Sequence, residues 1–392
     1  MPKNTRVRPL MAGVMSGTSA DGIDVAIVRI CDHGPELVHY QEHPMPAELK
    51  EPILRLADPG MNEIDSMGGL DVAIGRAIGR ATLSTIETAE LKRQDIAAIG
   101  SSGQTIRHRP QGVSGSAPFT LQIGCPSTIT EVTGITTVAD FRRRDIAAGG
   151  EGAPLTPFVH RLLLRDRETP AAILNIGGIA NVTFVSEPDE LLGFDTGPGN
   201  MVMDGLMLAL TDGRHACDRD GSLAAAGRAD ETLLKQLLAH PFFSRKPPKS
   251  CGREEFGRET VEHILAHPEL CDADRLRTAL ELTIASIRQS TDWMPTAPDH
   301  WYVYGGGTNN SLLMRRLAEE LLPADVSTTS QLGMPPEAME ASAFATLAWN
   351  ALKGKANTLT GVTGANHAVC GGHIVPGANW PDLIKELSVW IH

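Results

Sequence analysis

The stretch Leu10-Met11-Ala12-Gly13-Val14-Met15-Ser16-Gly17-Thr18-Ser19-Ala20-Asp21-Gly22-Ile23-Asp24-Val25-Ala26-Ile27-Val28-Arg29-Ile30 decides how this chain is read. Residues 8–15 and 24–30 read as two buried strands, and the glycine and hydroxyl residues between them as the turn of a hairpin. A comparable unit returns in the second half, where residues 171–176 run into Gly177-Gly178-Ile179-Ala180 and residues 181–185 follow. Each half then has a later strand that ends in glycine: residues 96–100 before Ser101-Ser102-Gly103-Gln104-Thr105, and residues 301–304 before Gly305-Gly306-Gly307-Thr308-Asn309. Apolar residues at helical spacing over 70–91, 200–210, 276–293, 311–322 and 340–352 alternate with these strands, which argues α/β layers. The halves read as two copies of one design, alike in topology rather than residue by residue. Residues 140–157, with Arg142-Arg143-Arg144, Gly149-Gly150 and two prolines, read as the crossing between them, lining a cleft.

Size and composition fit that picture. A chain of 392 residues accommodates about two to three domains. The formal net charge of -12 argues against a protein whose main business is binding nucleic acid or an anionic membrane. Cys31, Cys125, Cys217, Cys251, Cys271 and Cys370 show no C-x-x-C spacing, so neither a zinc cluster nor a disulfide framework is indicated. No dedicated metal site is expected. Lys3, Arg6 and Arg8 before a short apolar run superficially suggest a signal peptide, but Asp21 and Asp24 follow at once, and a buried first strand is the better reading. No window reaches the roughly 18 apolar residues that span a bilayer, so the expected location is the cytoplasm.

The turn at 16–22 offers small residues, hydroxyls and backbone N–H groups, the means by which a chain approaches polyphosphate oxygens closely. It has neither the G-x-x-x-x-G-K-[ST] nor the G-x-G-x-x-G spacing. Alone, it could equally be a hairpin that uses glycine for its conformation. Recurrence at Gly177-Gly178 and Gly305-Gly306-Gly307 suits a nucleotide held between the halves. In Leu191-Leu192-Gly193-Phe194-Asp195-Thr196-Gly197-Pro198-Gly199-Asn200, a short strand ends in a carboxylate, and Asn200 can cap the helix that follows. Asp195 either organises its turn by accepting backbone hydrogen bonds or serves as a general base. Asp140, Arg142 and Arg144 could bind a sugar or its carboxylate, or form a solvated, ion-paired face. The run Pro247-Pro248-Lys249-Ser250-Cys251-Gly252-Arg253-Glu254-Glu255-Phe256 is a cleft loop or a rigid connection. Glu340 opens a helix, where it complements the dipole or meets substrate hydroxyls. The amphipathic residues 380–390 pack on their own domain or on a second subunit of a homodimer.

Five runs, Val14-Met15-Ser16-Gly17-Thr18-Ser19, Asp140-Phe141-Arg142-Arg143-Arg144-Asp145-Ile146-Ala147-Ala148-Gly149-Gly150, Asn175-Ile176-Gly177-Gly178-Ile179-Ala180-Asn181, residues 193–200, and Pro247-Pro248-Lys249-Ser250 through Gly252-Arg253-Glu254, resemble the anhydro-N-acetylmuramic acid kinase family. The resemblance implies two ribonuclease-H-like domains of the actin, sugar-kinase and heat-shock ATPase superfamily with an interdomain active-site cleft. The domains are expected at residues 1–135 plus 358–392 and at 136–357. It implies an enzyme that opens 1,6-anhydro-N-acetylmuramic acid and makes N-acetylmuramic acid 6-phosphate during peptidoglycan recycling, with ATP as donor and Mg²⁺ carried on its phosphates. Asp195 is then the base. Gly17, Thr18, Ser19, Ala20, Asp21, Gly22, Ile23 and Asp24 meet the ATP phosphates, Gly177 and Gly178 support the nucleotide, and Gly305, Gly306 and Gly307 lie near the adenosine. Gln104, Asp140, Arg142 and Glu340 are the implied sugar contacts. The chain departs from the family pattern at Ala20, Ser102, Glu151, Thr308-Asn309 and Asn366-His367. Two alternatives are a kinase for an ordinary sugar hydroxyl and a non-catalytic nucleotide and sugar sensor. No helix-turn-helix extension precedes residue 8, and the acidic charge likewise disfavours a repressor-like sensor.

Overall fold

The first hairpin forms as its sequence pattern requires. In the computed structural model, which describes residues 8–113, 115–187 and 190–390, β1 (Leu10–Ser16) pairs antiparallel with β2 (Gly22–Cys31), and β2 with β3 (Gly34–Pro44). On the other side of β1, β4 (Ile96–Arg109) runs parallel to it. β5 (Phe119–Ile123) pairs antiparallel with the outer part of β4, β6 (Thr137–Ala139) runs parallel to its inner part, and the short strand His373–Val375 closes the edge. Because successive side chains point to opposite faces, both faces of this sheet are apolar. Val14, Val25 and Ile27 pack with Ile74 and Ile78 of the helix Glu63–Thr88. Met11, Ala26, Val28 and Ala98 pack with the helix Met339–Leu352. That helix lies very close to the sheet: a Cβ on Gly13 would fall on the carbonyl oxygen of Ala341, and one on Gly100 on that of Phe344.

The second sheet repeats the plan. β7 (Ala171–Ile176), β8 (Ile179–Glu187) and β9 (Glu190–Pro198) form an antiparallel meander, and β10 (His300–Tyr304) and β11 (Asp325–Thr328) continue parallel from β7. Its order, β11-β10-β7-β8-β9, matches the β6-β4-β1-β2-β3 path of the first sheet. Both are ribonuclease-H-like, so the duplicated α/β design read from the sequence is present. Leu174, Val182 and Phe194 pack here with Leu206, Leu280, Ile284 and Leu313, from the helices Met201–Leu210, Asp272–Ser290 and Ser311–Glu320.

Several details differ from the sequence reading. The compact units are Met1–Leu163 with Ala338–His392, and Leu164–Glu337, so residues 136–163 and 338–357 go with the first unit rather than the second. The cause is pairing: β6 hydrogen-bonds to β4, and the helix Met339–Leu352 covers the first sheet. Residues 140–157 are likewise tied into that unit, since the buried carboxylate of Asp145 accepts from Thr363 Oγ1 and from the Gly152 N–H, each at 2.8 Å. Residues 101–105 are not a turn; β4 runs straight through them, with Gly103 at φ +63° and a register shift against β1. β9 continues past Asp195 to Pro198, so Asp195 is not a strand end. Asn200 makes no side-chain cap; its Nδ2 donates to the Ile176 carbonyl at 3.3 Å. The terminal helix Trp380–Trp390 docks Leu383 and Leu387 on its own unit. Among the described residues, no helix is long and apolar enough to cross a membrane.

Candidate active site

In the first unit the turn between β1 and β2 is closed by the Ala20 N–H donating to the Gly17 carbonyl at 3.0 Å. Thr18 and Ser19 are exposed at its tip, and Ala20 is buried beneath them at φ +52°. Lys50 ion-pairs with Asp21. Burial alone would raise the Asp21 carboxyl, but hydrogen bonds from Lys50 and Ser19 hold it below the usual carboxylate range.

Asp24, further along β2, accepts from Tyr40 Oη on β3 at 2.5 Å. Burial nonetheless pushes its carboxyl up, helped by Glu42. Glu340, in the first turn of its helix, is also pushed up by burial; Arg142 opposes the shift and Asp24 adds to it. Arg142 in turn is lowered by burial and supported by Glu340, and its Nη1 donates to the Gly152 carbonyl at 2.9 Å. His108 on β4 is held down at about 4 by burial, then by Arg142 and Arg109. Asp24 and Arg142 thus both act electrostatically on Glu340, in opposite directions. Asp140 is differently placed: its carboxylate lies 3.5 Å from Arg143 and 3.3 Å from His373. Gln104 is fully buried, with both ends of its amide engaged by the turn.

In the second unit Asp195 sits within β9, opposite Asn181 and beside a register shift. Its backbone N–H donates to the Lys249 carbonyl at 3.0 Å, and its Oδ2 accepts from the Cys251 N–H at 2.9 Å. The loop 247–251 therefore clasps this one residue at backbone and side chain together. Lys249 anchors the loop by placing Nζ 4.6 Å from the centre of the Phe242 ring and donating to the Phe242 carbonyl at 3.3 Å. Burial, aided by Arg245, lowers the Lys249 ammonium pKa, while Cys251 and Asp195 oppose that shift.

The glycine turns of this unit converge. Gly199 N–H donates to Gly178 O at 2.9 Å and Asn200 N–H to Gly177 O at 2.7 Å. Gly305, at φ +86°, packs on Asn175 and Ile176 so tightly that a Cβ would overlap both, and Gly307 is pressed against Ile176. By contrast, a Cβ on Gly17 or Gly178 would meet nothing closer than 3.8 Å or 3.9 Å respectively, and neither backbone is left-handed. Packing explains Gly305 and Gly307; it does not explain glycine at 17 or 178, where the surroundings leave room for a side chain.

A profile of the family described as anhydro-N-acetylmuramic acid kinase matches residues 9–377. The chain belongs to that family. A relative from Coxiella burnetii (strain RSA 493 / Nine Mile phase I), named anhydro-N-acetylmuramic acid kinase, is 43% identical over 385 residues, covering 96% of this chain and 99% of its own. Relatives of the same name from Shewanella sediminis and Idiomarina loihiensis are 43% identical over 367 residues and 40% identical over 358. They cover 93% and 91% of this chain, and 98% and 96% of their own.

Sequence reasoning did not single out Tyr40, His108 or the Cys251 N–H. Only pairing across strands and loops reveals these groups, although the Lys249-Ser250-Cys251 motif pointed to the last. The structure also brings Cys31, His33 and Glu36 together, with their ligand atoms within 4.8 Å of one another. Glu36 meets His33 at 3.0 Å and Arg8 at 3.9 Å, so its carboxylate already has partners within the protein.

Proposed function

We propose that this member of the anhydro-N-acetylmuramic acid kinase family hydrolyses the 1,6-anhydro bond of 1,6-anhydro-N-acetylmuramic acid and phosphorylates O6 from ATP. The products are N-acetylmuramic acid 6-phosphate and ADP, and the setting is cytoplasmic peptidoglycan recycling. Asp195 carries the reading. Its carboxylate is fixed by the Cys251 N–H and by the strand on which it lies, so it can hold a water and take its proton. The water oxygen bonds to the anomeric carbon as the C1–O6 bond breaks, and O6 takes the γ-phosphoryl group while ADP departs. One carboxylate then suffices, because phosphoryl transfer to O6 stands in for the second acid of an ordinary glycosidase.

Arg142 and Glu340 orient the sugar, with Asp24 alongside. The N–H groups and hydroxyls of Gly17, Thr18 and Ser19 take the phosphates, together with Gly177 and Gly178; Gly305, Gly306 and Gly307 shape the adenosine side. Mg²⁺ bound to the phosphates supplies charge neutralisation during transfer. The exposure of Thr18 and Ser19 and the open space beside Gly17 and beside Gly178, each within its own unit, support the reading that these turns take phosphate oxygens. ADP release measured with the anhydro sugar, and with ring-open N-acetylmuramic acid, tests the reading. Turnover should require the anhydro sugar and yield the 6-phosphate. Equal turnover with the ring-open sugar would instead indicate a kinase for an ordinary hydroxyl, and no turnover with either a sensor.

A further inference from the structure

Gln104 lies on β4, fully buried and beyond the β1–β4 register shift, where the two strands begin to part. Its Oε1 accepts from Ser16 Oγ at 2.7 Å, and its Nε2 donates to the Gly17 carbonyl at 3.0 Å. The Ser16 hydroxyl also lies 3.0 Å from the carbonyl of Gly22, at the far end of the same turn. The neighbouring Ser102 contributes as well, because its Oγ accepts from the Ser16 N–H at 3.3 Å. Two side chains of β4 therefore brace the start of the loop at Ser16 and Gly17, the single Ser16 hydroxyl proton going to Gln104 Oε1 or, alternatively, to the Gly22 carbonyl. The amide is engaged at both ends, with Nε2 also 3.5 Å from the Thr105 carbonyl, and its loss would take from the Gly17 carbonyl one of two donors, the other being the Ala20 N–H.

We propose that Gln104 is a positioning residue for the nucleotide turn, acting through Ser16 and Gly17, and not a sugar contact. Ser102, where this chain departs from its family pattern, belongs to the same brace. The inference rests on the reading that the turn at 16–22 holds ATP phosphates.

Steady-state kinetics of the full chain with ATP and 1,6-anhydro-N-acetylmuramic acid, alongside thermal unfolding, test it. Gln104→Met keeps length and burial while deleting both bonds. The KM for ATP should rise roughly ten-fold, with the KM for the sugar changed by less than about two-fold. Ser16→Ala removes one partner and should give a smaller rise of the same kind, and the double variant should lose less than the two single losses combined. Ser16→Ala keeps the test open if Gln104→Met does not fold. A rise confined to the sugar KM, or equal rises in both, would overturn the proposal. Gly17→Ala separates the two levels of the argument. If it leaves the ATP KM unchanged, the nucleotide reading of the turn falls and takes this proposal with it; if it raises that KM while Gln104→Met and Ser16→Ala do not, the positioning role alone falls.

Discussion

A carboxylate that activates water must be held still and left basic. Asp195 is held by a strand on one side and the Cys251 N–H on the other. Asp195→Asn keeps the shape and removes the base, so phosphorylation of the anhydro sugar should fall by roughly 10²–10⁴-fold while nucleotide affinity stays the same; a variant with near-normal turnover would remove Asp195 from the chemistry. Glu340 is half-buried, with its carboxyl pushed up by burial against the opposing charge of Arg142, and Glu340→Gln should weaken sugar handling by about 1.5–3 kcal/mol, read from kcat/KM for the sugar. Unaltered sugar kinetics with a lower melting temperature would assign Glu340 a purely structural place at the start of its helix. A third carboxyl, Asp204 in the helix Met201–Leu210, is pushed up to about 6 by burial. An acid whose folded-state pKa is raised favours the folded state while protonated. Its contribution is full below about 4, the unfolded value, and is lost as pH rises through about 6. Asp204→Asn should flatten the melting-temperature profile over that window, and a slope that survives the substitution must come from other groups.

At the level of elements, glycine separates architecture from ligand. Gly13→Ala drives a methyl group into the backbone of the helix Met339–Leu352 and should destabilise the fold by about 1–3 kcal/mol or more in denaturant titration. Gly17→Ala fits its own surroundings and should leave stability within about 0.5 kcal/mol while weakening ATP. The reverse pattern would mean that the hairpin turn uses glycine for its conformation alone. The same elements show what the sequence made legible. Hairpins with apolar runs and a polar turn were readable because local pattern determines them, and so were the long helices. Gly103-Gln104 imitates a turn because glycine is needed there for a left-handed residue inside a strand, not for an end. β3, polar along its exposed face, carries little apolar signal and was not anticipated. Asp195 was legible as a candidate from its motif, but the loop that clasps it comes from a distant part of the chain, and contacts at that separation leave no periodicity to read.

At the scale of the whole molecule, the duplicated sheet order was visible as two similar runs of strands and glycine turns, whereas the unit boundaries were not. The chain returns to its first unit at residue 338, where the helix Met339–Leu352 buries its apolar side chains on the first sheet, and the Cβ-free positions at Gly13 and Gly100, remote in sequence, let it approach so closely. The second sheet has a core built around Leu174, Val182 and Phe194, and the first has one on each face, around Val14 and Val25 and around Met11. The proposed function couples two bond changes in one turnover, water entering at the anomeric carbon and the γ-phosphoryl group moving to O6. A single-turnover reaction in ¹⁸O-labelled water, with mass spectrometry of product fragments, follows the atoms directly. The label should appear on the anomeric hydroxyl of N-acetylmuramic acid 6-phosphate and be absent from its phosphate, since O6 comes from the sugar. Label in the phosphoryl group would mean that ATP is hydrolysed by water first, and would contradict the coupled reaction and the part given to Asp195.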